Sequence, residues 1–256
     1  MSVLPEPFRG WFYALYRSGR FGRWVTLGAS YVYMIGIKII GLKPWKDLSA
    51  LTIVSHKYKF IYIGIPKIAT RTFKDLFVDN PSEDYEIEWN EKPFFFRQAK
   101  QKYPDYCTFI FVRNPYSRIV SCYNSKIAHK SIGKKARIVS LYKNLRAVRN
   151  FNEFAKWLNT QEGSDEIADR HWISQYLYTL DDNGKPICDY IGKYETLEED
   201  WQKISKKIRL HNASLPHKGW VSTSDYRELY DQKSQDEIYK RYENDFKLLE
   251  YSEKLK

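Results

Sequence analysis

The stretch that most constrains this chain is FIYIGIPKIATRTFKDLF, residues 60 to 77, where the hydrophobic pattern changes period halfway along. Phe60 to Ile65 is an unbroken apolar run of strand length, the pattern of a strand buried on both faces of a parallel sheet. Pro66 ends it. Phe73, Leu76 and Phe77 then recur at i, i+3 and i+4, which predicts a helix with one buried face and Thr70 or Thr72 as its N-cap. Between strand and helix lies only PKIAT. A turn this short presents unpaired backbone N–H groups and the positive end of the helix dipole, to which Lys67 and Arg71 add two cations. The stretch predicts an anion-binding turn. The competing reading is an ordinary strand-turn-helix whose Lys and Arg are merely solvated.

A second passage of the same kind is CTFIFVRNPYSRIVSCYNSKI, residues 107 to 127. Cys107 to Val112 reads as a buried strand, Asn114 as a cap and Pro115 as the first helical residue, with Tyr116, Val120, Tyr123 and Ile127 on the inner face. Arg113 leaves the strand end, and Ser121 stands two turns into the helix. Parallel strands share one C-terminal edge, so Arg113 is expected in the same crevice as PKIAT. Two anion sites in one crevice predict a ligand with phosphate at both ends.

Bulk properties narrow the class. The 256 residues, 43% hydrophobic and 17% aromatic, suit a folded α/β chain without long disordered tails. Cys107, Cys122 and Cys188 are odd in number and lack metal-ligand spacing, which argues against a disulfide framework or zinc site and for reduced, cytoplasmic conditions. The net charge of +11 is segregated: ten Lys or Arg and no acid between Arg113 and Arg149, six acids and no Lys or Arg from 79 to 91. Such a basic face suits nucleic acid, an anionic membrane, an acidic polymer or a phosphate-rich ligand. Residues 24–42 are apolar except for Lys38; a buried or interfacial helix is preferred there over a membrane span, because the lysine and the basic flanks at both ends disfavour crossing. With the aromatic and arginine-rich segment before them, residues 8–42 leave room for association with a membrane surface. No secretory signal pattern is evident.

The two strand-to-helix motifs resemble those of the sulfotransferases that use 3′-phosphoadenosine 5′-phosphosulfate (PAPS). Pro66 to Phe73 looks like their PKxxxT-type 5′-phosphosulfate loop, and RxPxxRxxSxY is matched at every fixed position by Arg113, Pro115, Arg118, Ser121 and Tyr123. The stretch DRHWISQYLYTLDDNGKPICDYIGKYETLEEDW, residues 169–201, is similar to one in carbohydrate sulfotransferases of the Golgi, including those that 4-sulfate chondroitin. HKGWVSTSDYRELYDQ and the closing D(F/Y)..(F/L).Y signature are similar to the end of the same group. The resemblance covers about residues 55 to 251.

The resemblance implies a P-loop NTPase-like, three-layer sulfotransferase fold, a central parallel sheet flanked by helices over residues 51–256, with residues 1–50 as a helical extension. It implies PAPS as donor, a hydroxyl acceptor of the carbohydrate class, and no metal. Pro66, Lys67, Ala69, Thr70, Arg71, Thr72 and Phe73 would hold the 5′ end, Arg113 and Ser121 the 3′-phosphate, and His217 and Lys218 would complete the donor set. Lys67 would also neutralise the leaving oxygen. Two departures stand out: Arg71 and Ala69 replace a frequent hydroxyl and a frequent glycine, and residues 78–106 hold no histidine, where some members place their base. Of five histidines, His171 has the best context, since Asp169 can orient it; Glu195 is the runner-up, with helix capping as its plainer role. A Golgi type II membrane protein is less favoured than a cytoplasmic enzyme at most peripheral to a membrane.

Two rivals come from other classes. A nucleotide kinase should show GxxxxGK[ST] and a magnesium-binding acid after a second strand, whereas this loop has no glycine and the second strand ends in Arg113. A nucleic-acid-binding module would explain the basic block, yet no binding motif accompanies it.

Overall fold

The computed structural model describes residues 48–128, 142–210, 214–216 and 225–255. Residues 1–47 of the expected helical extension, with its apolar segment, therefore lie outside the described residues, as do His129, His211, His217 and Lys218. Among the described residues no helix is long and apolar enough to cross a membrane.

The chain divides into two compact units. One comprises Leu48–Ser121, Ser174–Leu229 and Tyr242–Lys256. It carries the sheet: β1 (Leu51–Ser55), β2 (Phe60–Gly64), β3 (Ile87–Asn90), β4 (Cys107–Val112) and β5 (Tyr190–Lys193), in the order β3-β1-β2-β4-β5. β4 and the start of β2 fall where the apolar runs predict them.

The sheet is mixed, which corrects the expectation of a purely parallel one. β2 pairs parallel with β4 and β4 with β5, but β1 runs antiparallel to both β2 and β3. The pattern of apolar runs places the first strand at Phe60, yet LTIVS precedes it as β1, joined through the turn His56–Lys59, in which Lys59 has φ 52°. So short a connection allows only a hairpin, since a parallel crossover needs a dozen residues or more.

Phe60 and Tyr62 of β2 and Phe109 and Phe111 of β4 share one sheet face by strand alternation. Phe73 and Phe77, from the helical run after β2, close over them: ring centroids are 4.5 Å apart for Tyr62 and Phe73 and 5.0 Å for Phe60 and Phe77. Trp201, from the helix Leu197–Lys207, stands 5.3 Å from Phe73. Leu197, Trp201, Ile204 and Ile208 of that helix are buried, as its apolar stripe predicts, with acids in its first turn and lysines in its last. Gly192 of β5 makes room for this layer: a Cβ there would meet the Phe111 ring at 2.4 Å. The helix Phe95–Lys102 packs along β1 and β2, burying Phe96 and Ala99.

One core atom is out of place in this setting. The Tyr62 hydroxyl, on a side chain with 0% exposure, finds no hydrogen-bond partner among the described residues, and burial pushes its ionisation far above the ordinary phenol range. A buried hydroxyl without a partner costs its desolvation and returns nothing. Tyr62→Phe is expected to raise unfolding stability by about 1 kcal/mol in urea titrations; a clear loss would show that the hydroxyl is held after all.

The other unit, described for residues 122–128, 142–173 and 230–241, is helical. The helix Phe151–Leu158 is capped by Asn150, whose side chain accepts from Glu153 N at 2.9 Å while Glu153 Oε2 accepts from Arg149 N at 2.7 Å. Its core is aromatic: Trp172 lies 5.1 Å from Tyr142 and 5.5 Å from Trp157. The spacing of Ile238, Tyr239, Tyr242, Phe246 and Leu249 predicts one apolar stripe near the C-terminus; the structure divides it at Tyr242 into the helices Gln232–Arg241 of this unit and Glu243–Leu248 of the sheet unit. Ile238, Tyr242, Phe246 and Leu249 are buried as core residues should be, whereas Tyr239 is only half-buried.

Candidate active site

The turn after β2 is built by backbone geometry rather than by glycine. Ile68 N donates to Ile65 O at 3.3 Å, closing a four-residue turn with Pro66 second and Lys67 third. Lys67 has φ 77°, the left-handed position at which such a turn ordinarily takes glycine, and Ala69 follows at φ 47°. Two left-handed residues without glycine's freedom in so short a link is stored strain of the kind that gathers at functional sites. The first helical bond is Phe73 N to Ala69 O at 3.2 Å, so the N–H groups of Thr70, Arg71 and Thr72 precede the ladder at the helix start. The helix Thr70–Lys74 continues as a π-helical turn over Asp75–Asp79.

The side chains of this loop are used differently from the expectation. Ala69, and neither threonine, occupies the N-cap. Thr70 Oγ1 donates back to Ile65 O at 2.7 Å and so braces the turn, and Thr72 is buried. The Phe73 ring belongs to the core and its N–H to the helix. Backbone N–H groups, Lys67 and the exposed Arg71 are what the loop offers an anion.

β2 and β4 are parallel neighbours, so their C-terminal ends share an edge, and Arg113 comes to the turn as its position predicts: Nη1 donates to Lys67 O at 3.2 Å. Its Nε donates to Ser117 Oγ at 2.8 Å, and its guanidinium lies 4.4 Å from the Tyr194 ring centre. Only 6% of the residue is exposed, and burial lowers the arginine's pKa. Asn114 caps the helix Pro115–Cys122, its Oδ1 accepting from Tyr116 N at 2.9 Å. Ser121 follows Ser117 by one helical turn and shares its face. Ser117 was legible from its i+4 spacing to Arg113 and to Ser121, but sequence reasoning passed over it.

The GKYE stretch supports this arm from β5. Tyr194 supplies the ring beneath Arg113, and Glu195 accepts from Asn114 N at 2.8 Å and from the Tyr251 hydroxyl at 3.0 Å. Glu195 thus holds the start of the neighbouring helix, the capping role that its position also predicts. The Tyr116 hydroxyl donates to Glu253 O at 2.6 Å, and its ring lies 4.8 Å from Phe246.

His171 belongs to the helical unit. Asp169 Oδ1 accepts from His171 N at 3.0 Å and also bonds the ring Nδ1, as the DRHW context predicts. With Nδ1–H donating to the carboxylate, Nε2 is the nitrogen left to take a proton. Burial lowers the His171 pKa below its ordinary 6.5, Asp169 opposes that shift, and Lys126 and Arg170 add to it. Burial alone would raise Asp169, but His171 outweighs it and holds the carboxylate well below its usual range. Burial pushes the thiols of Cys107 and Cys188 up to about 11 and about 12, so neither is a nucleophile at neutral pH.

Comparisons with known proteins bear on the family to which the chain belongs. Carbohydrate sulfotransferase 11 of Rattus norvegicus is 28% identical over 246 residues, covering 80% of this chain and 68% of that protein. Carbohydrate sulfotransferase 14 of Homo sapiens is 23% identical over 177 residues, 61% of this chain and 46% of its own. An uncharacterized protein of Archaeoglobus fulgidus is 35% identical over 133 residues, 52% of this chain and 92% of its own. No solved structure matches. The model of the sulfotransferase family matches residues 51–252, a span that includes the turn after β2, Arg113 and its helix, His171 and the GKYE stretch, and the chain belongs to that family.

Proposed function

We propose that the chain transfers a sulfuryl group from PAPS to a hydroxyl of a carbohydrate. The observation that carries this reading is the bond from Arg113 to the Lys67 carbonyl, which ties two anion-holding turns into one two-ended site. The bound donor supplies an activated sulfuryl group with a phosphate as its leaving group. The N–H groups of Thr70, Arg71 and Thr72 hold the 5′-phosphate at the helix start. Lys67 neutralises charge growing on the bridging oxygen, and Arg113, with Ser117 and Ser121 along one helix face, holds the 3′-phosphate as a planar donor. The protein's work is positioning and neutralising rather than covalent chemistry. Calorimetric titration should show adenosine 3′,5′-bisphosphate binding far more tightly than ATP, and a labelled-PAPS transfer screen across glycans, glycolipids and small alcohols should select a glycan. Tighter binding of ATP would return the kinase reading.

The carbohydrate acceptor is supported by the names of the relatives. For the acceptor proton, His171 is our candidate base on its own geometry: a neutral imidazole fixed by Asp169 at Nδ1. A depressed pKa keeps it neutral at pH 7, and it is protonated, and the base lost, only as pH falls through a value below 6.5. The rate should therefore rise with pH through an inflection below 6.5, and His171→Ala should remove that limb without weakening bisphosphate binding. An unchanged profile in the variant would move the base elsewhere.

A further inference from the structure

Arg113 is held at both ends, and the second hold has a chain of its own. The β4–β5 ladder stops at the pair Val112 and Lys193, so the backbone of Arg113 has no strand partner there. Gln175, from the turn Gln175–Thr179, takes the place of one: its Oε1 accepts from Arg113 N at 2.9 Å and its Nε2 donates to Arg113 O at 2.8 Å. Behind it stands Asp245, whose Oδ2 accepts from Gln175 N at 2.9 Å and from Gln175 Nε2 at 3.3 Å, while Oδ1 accepts from Tyr176 N at 2.9 Å. Gln175 and Asp245 are both 0% exposed. A buried carboxylate is costly unless its lone pairs are filled, and here Gln175, which grips Arg113, fills one oxygen and its neighbour Tyr176 bonds the other.

We propose that Gln175 and Asp245 are positioning residues that set the selectivity of the site for a 3′-phosphorylated nucleotide by fixing the backbone from which Arg113 projects. The inference rests on the assignment of Arg113 to the 3′-phosphate. Pinning both N–H and C=O of one residue fixes the direction of its Cα–Cβ bond. Ser117, Tyr194 and the Lys67 carbonyl then need only hold the far end of a side chain already aimed. The same relay accounts for the leading aspartate of the closing DFKLLEY signature, which lies 70 residues from the glutamine it holds. Without the amide, two buried backbone groups of Arg113 lose their partners and the guanidinium samples directions that miss the ligand.

The test is calorimetric titration of the full chain with adenosine 3′,5′-bisphosphate and with adenosine 5′-phosphate. In Gln175→Ala the bisphosphate should weaken by about tenfold or more and the monophosphate by less than about twofold, so the selectivity ratio collapses. Asp245→Asn, which keeps the shape but offers one accepting oxygen, should lower the ratio by a smaller factor in the same direction. Gln175→Glu, which sets a second carboxylate against Asp245 Oδ2 and the Arg113 carbonyl, should lower the ratio at least as far as alanine does. A wild-type chain that does not prefer the bisphosphate would refute the assignment of Arg113 itself. A wild-type preference that survives unchanged in Gln175→Ala, or equal losses for both ligands, would overturn the positioning role.

Discussion

Replacing Lys67 by alanine should lower turnover by on the order of a hundredfold or more, while weakening adenosine 3′,5′-bisphosphate much less. The asymmetry follows from when the charge develops. The bisphosphate carries the leaving group's final charge but no breaking bond, whereas a cation on the bridging oxygen is most effective as that bond parts. Alanine is the right replacement because Lys67 sits at φ 77°, in a conformation that any residue with a Cβ finds costly. Lys67→Ala keeps that strain, and its carbonyl can still accept from Arg113, so thermal unfolding should stay where it is. Single-turnover rates and calorimetry on one preparation decide the matter. Equal losses in rate and binding would make Lys67 a binding residue only.

Arg113→Ala should weaken adenosine 3′,5′-bisphosphate by roughly 2–4 kcal/mol and leave adenosine 5′-phosphate nearly unaffected, because only the first carries the 3′ group. The size reflects the setting. An arginine only 6% exposed would meet a phosphate with little water between them, and charge-assisted bonds in such a place are worth more than on a surface. Arg113 also braces the Lys67 carbonyl, so the two ligands report on two roles. A loss confined to the bisphosphate identifies a reader of the 3′-phosphate. A matching loss for the monophosphate would mean that Arg113 serves the loop instead.

What the sequence made legible here was local. A strand of apolar residues that stops at proline, and a helix that begins four residues later, announce the turn after β2 without reference to anything else in the chain. Arg113 followed from the same pattern and from the rule that parallel strands share an edge. The antiparallel β1 escaped because LTIVS is short and its pairing with β2 depends on a turn that carries no Asn-Gly or Asp-Gly signal. The loop hydroxyls were misjudged for another reason. Composition says that Thr70 can cap a helix, but only the left-handed backbone at Ala69 turns its Oγ1 back onto Ile65. Glu195 reads in the sequence as a base or a cap, and only the structure shows the cap, with one oxygen accepting from Asn114 N and the other from the Tyr251 hydroxyl. Ser117 lay in plain view, one turn from Arg113, and the fixed letters of a motif drew attention past it.

The arm that carries Arg113, the proposed reader of the 3′ group, is closed by partners far away along the chain: Gln175 lies 62 residues from Arg113, Glu195 lies 81 from Asn114, and Glu253 lies 137 from Tyr116. No short fragment contains both the arginine and what aims it. If Arg113 reads the 3′-phosphate, that recognition is a report on the completeness of the sheet unit: secondary structure can be present in a damaged or truncated chain, but a nucleotide selective for Arg113 would register only molecules in which Asp245 and Glu253 have found their places.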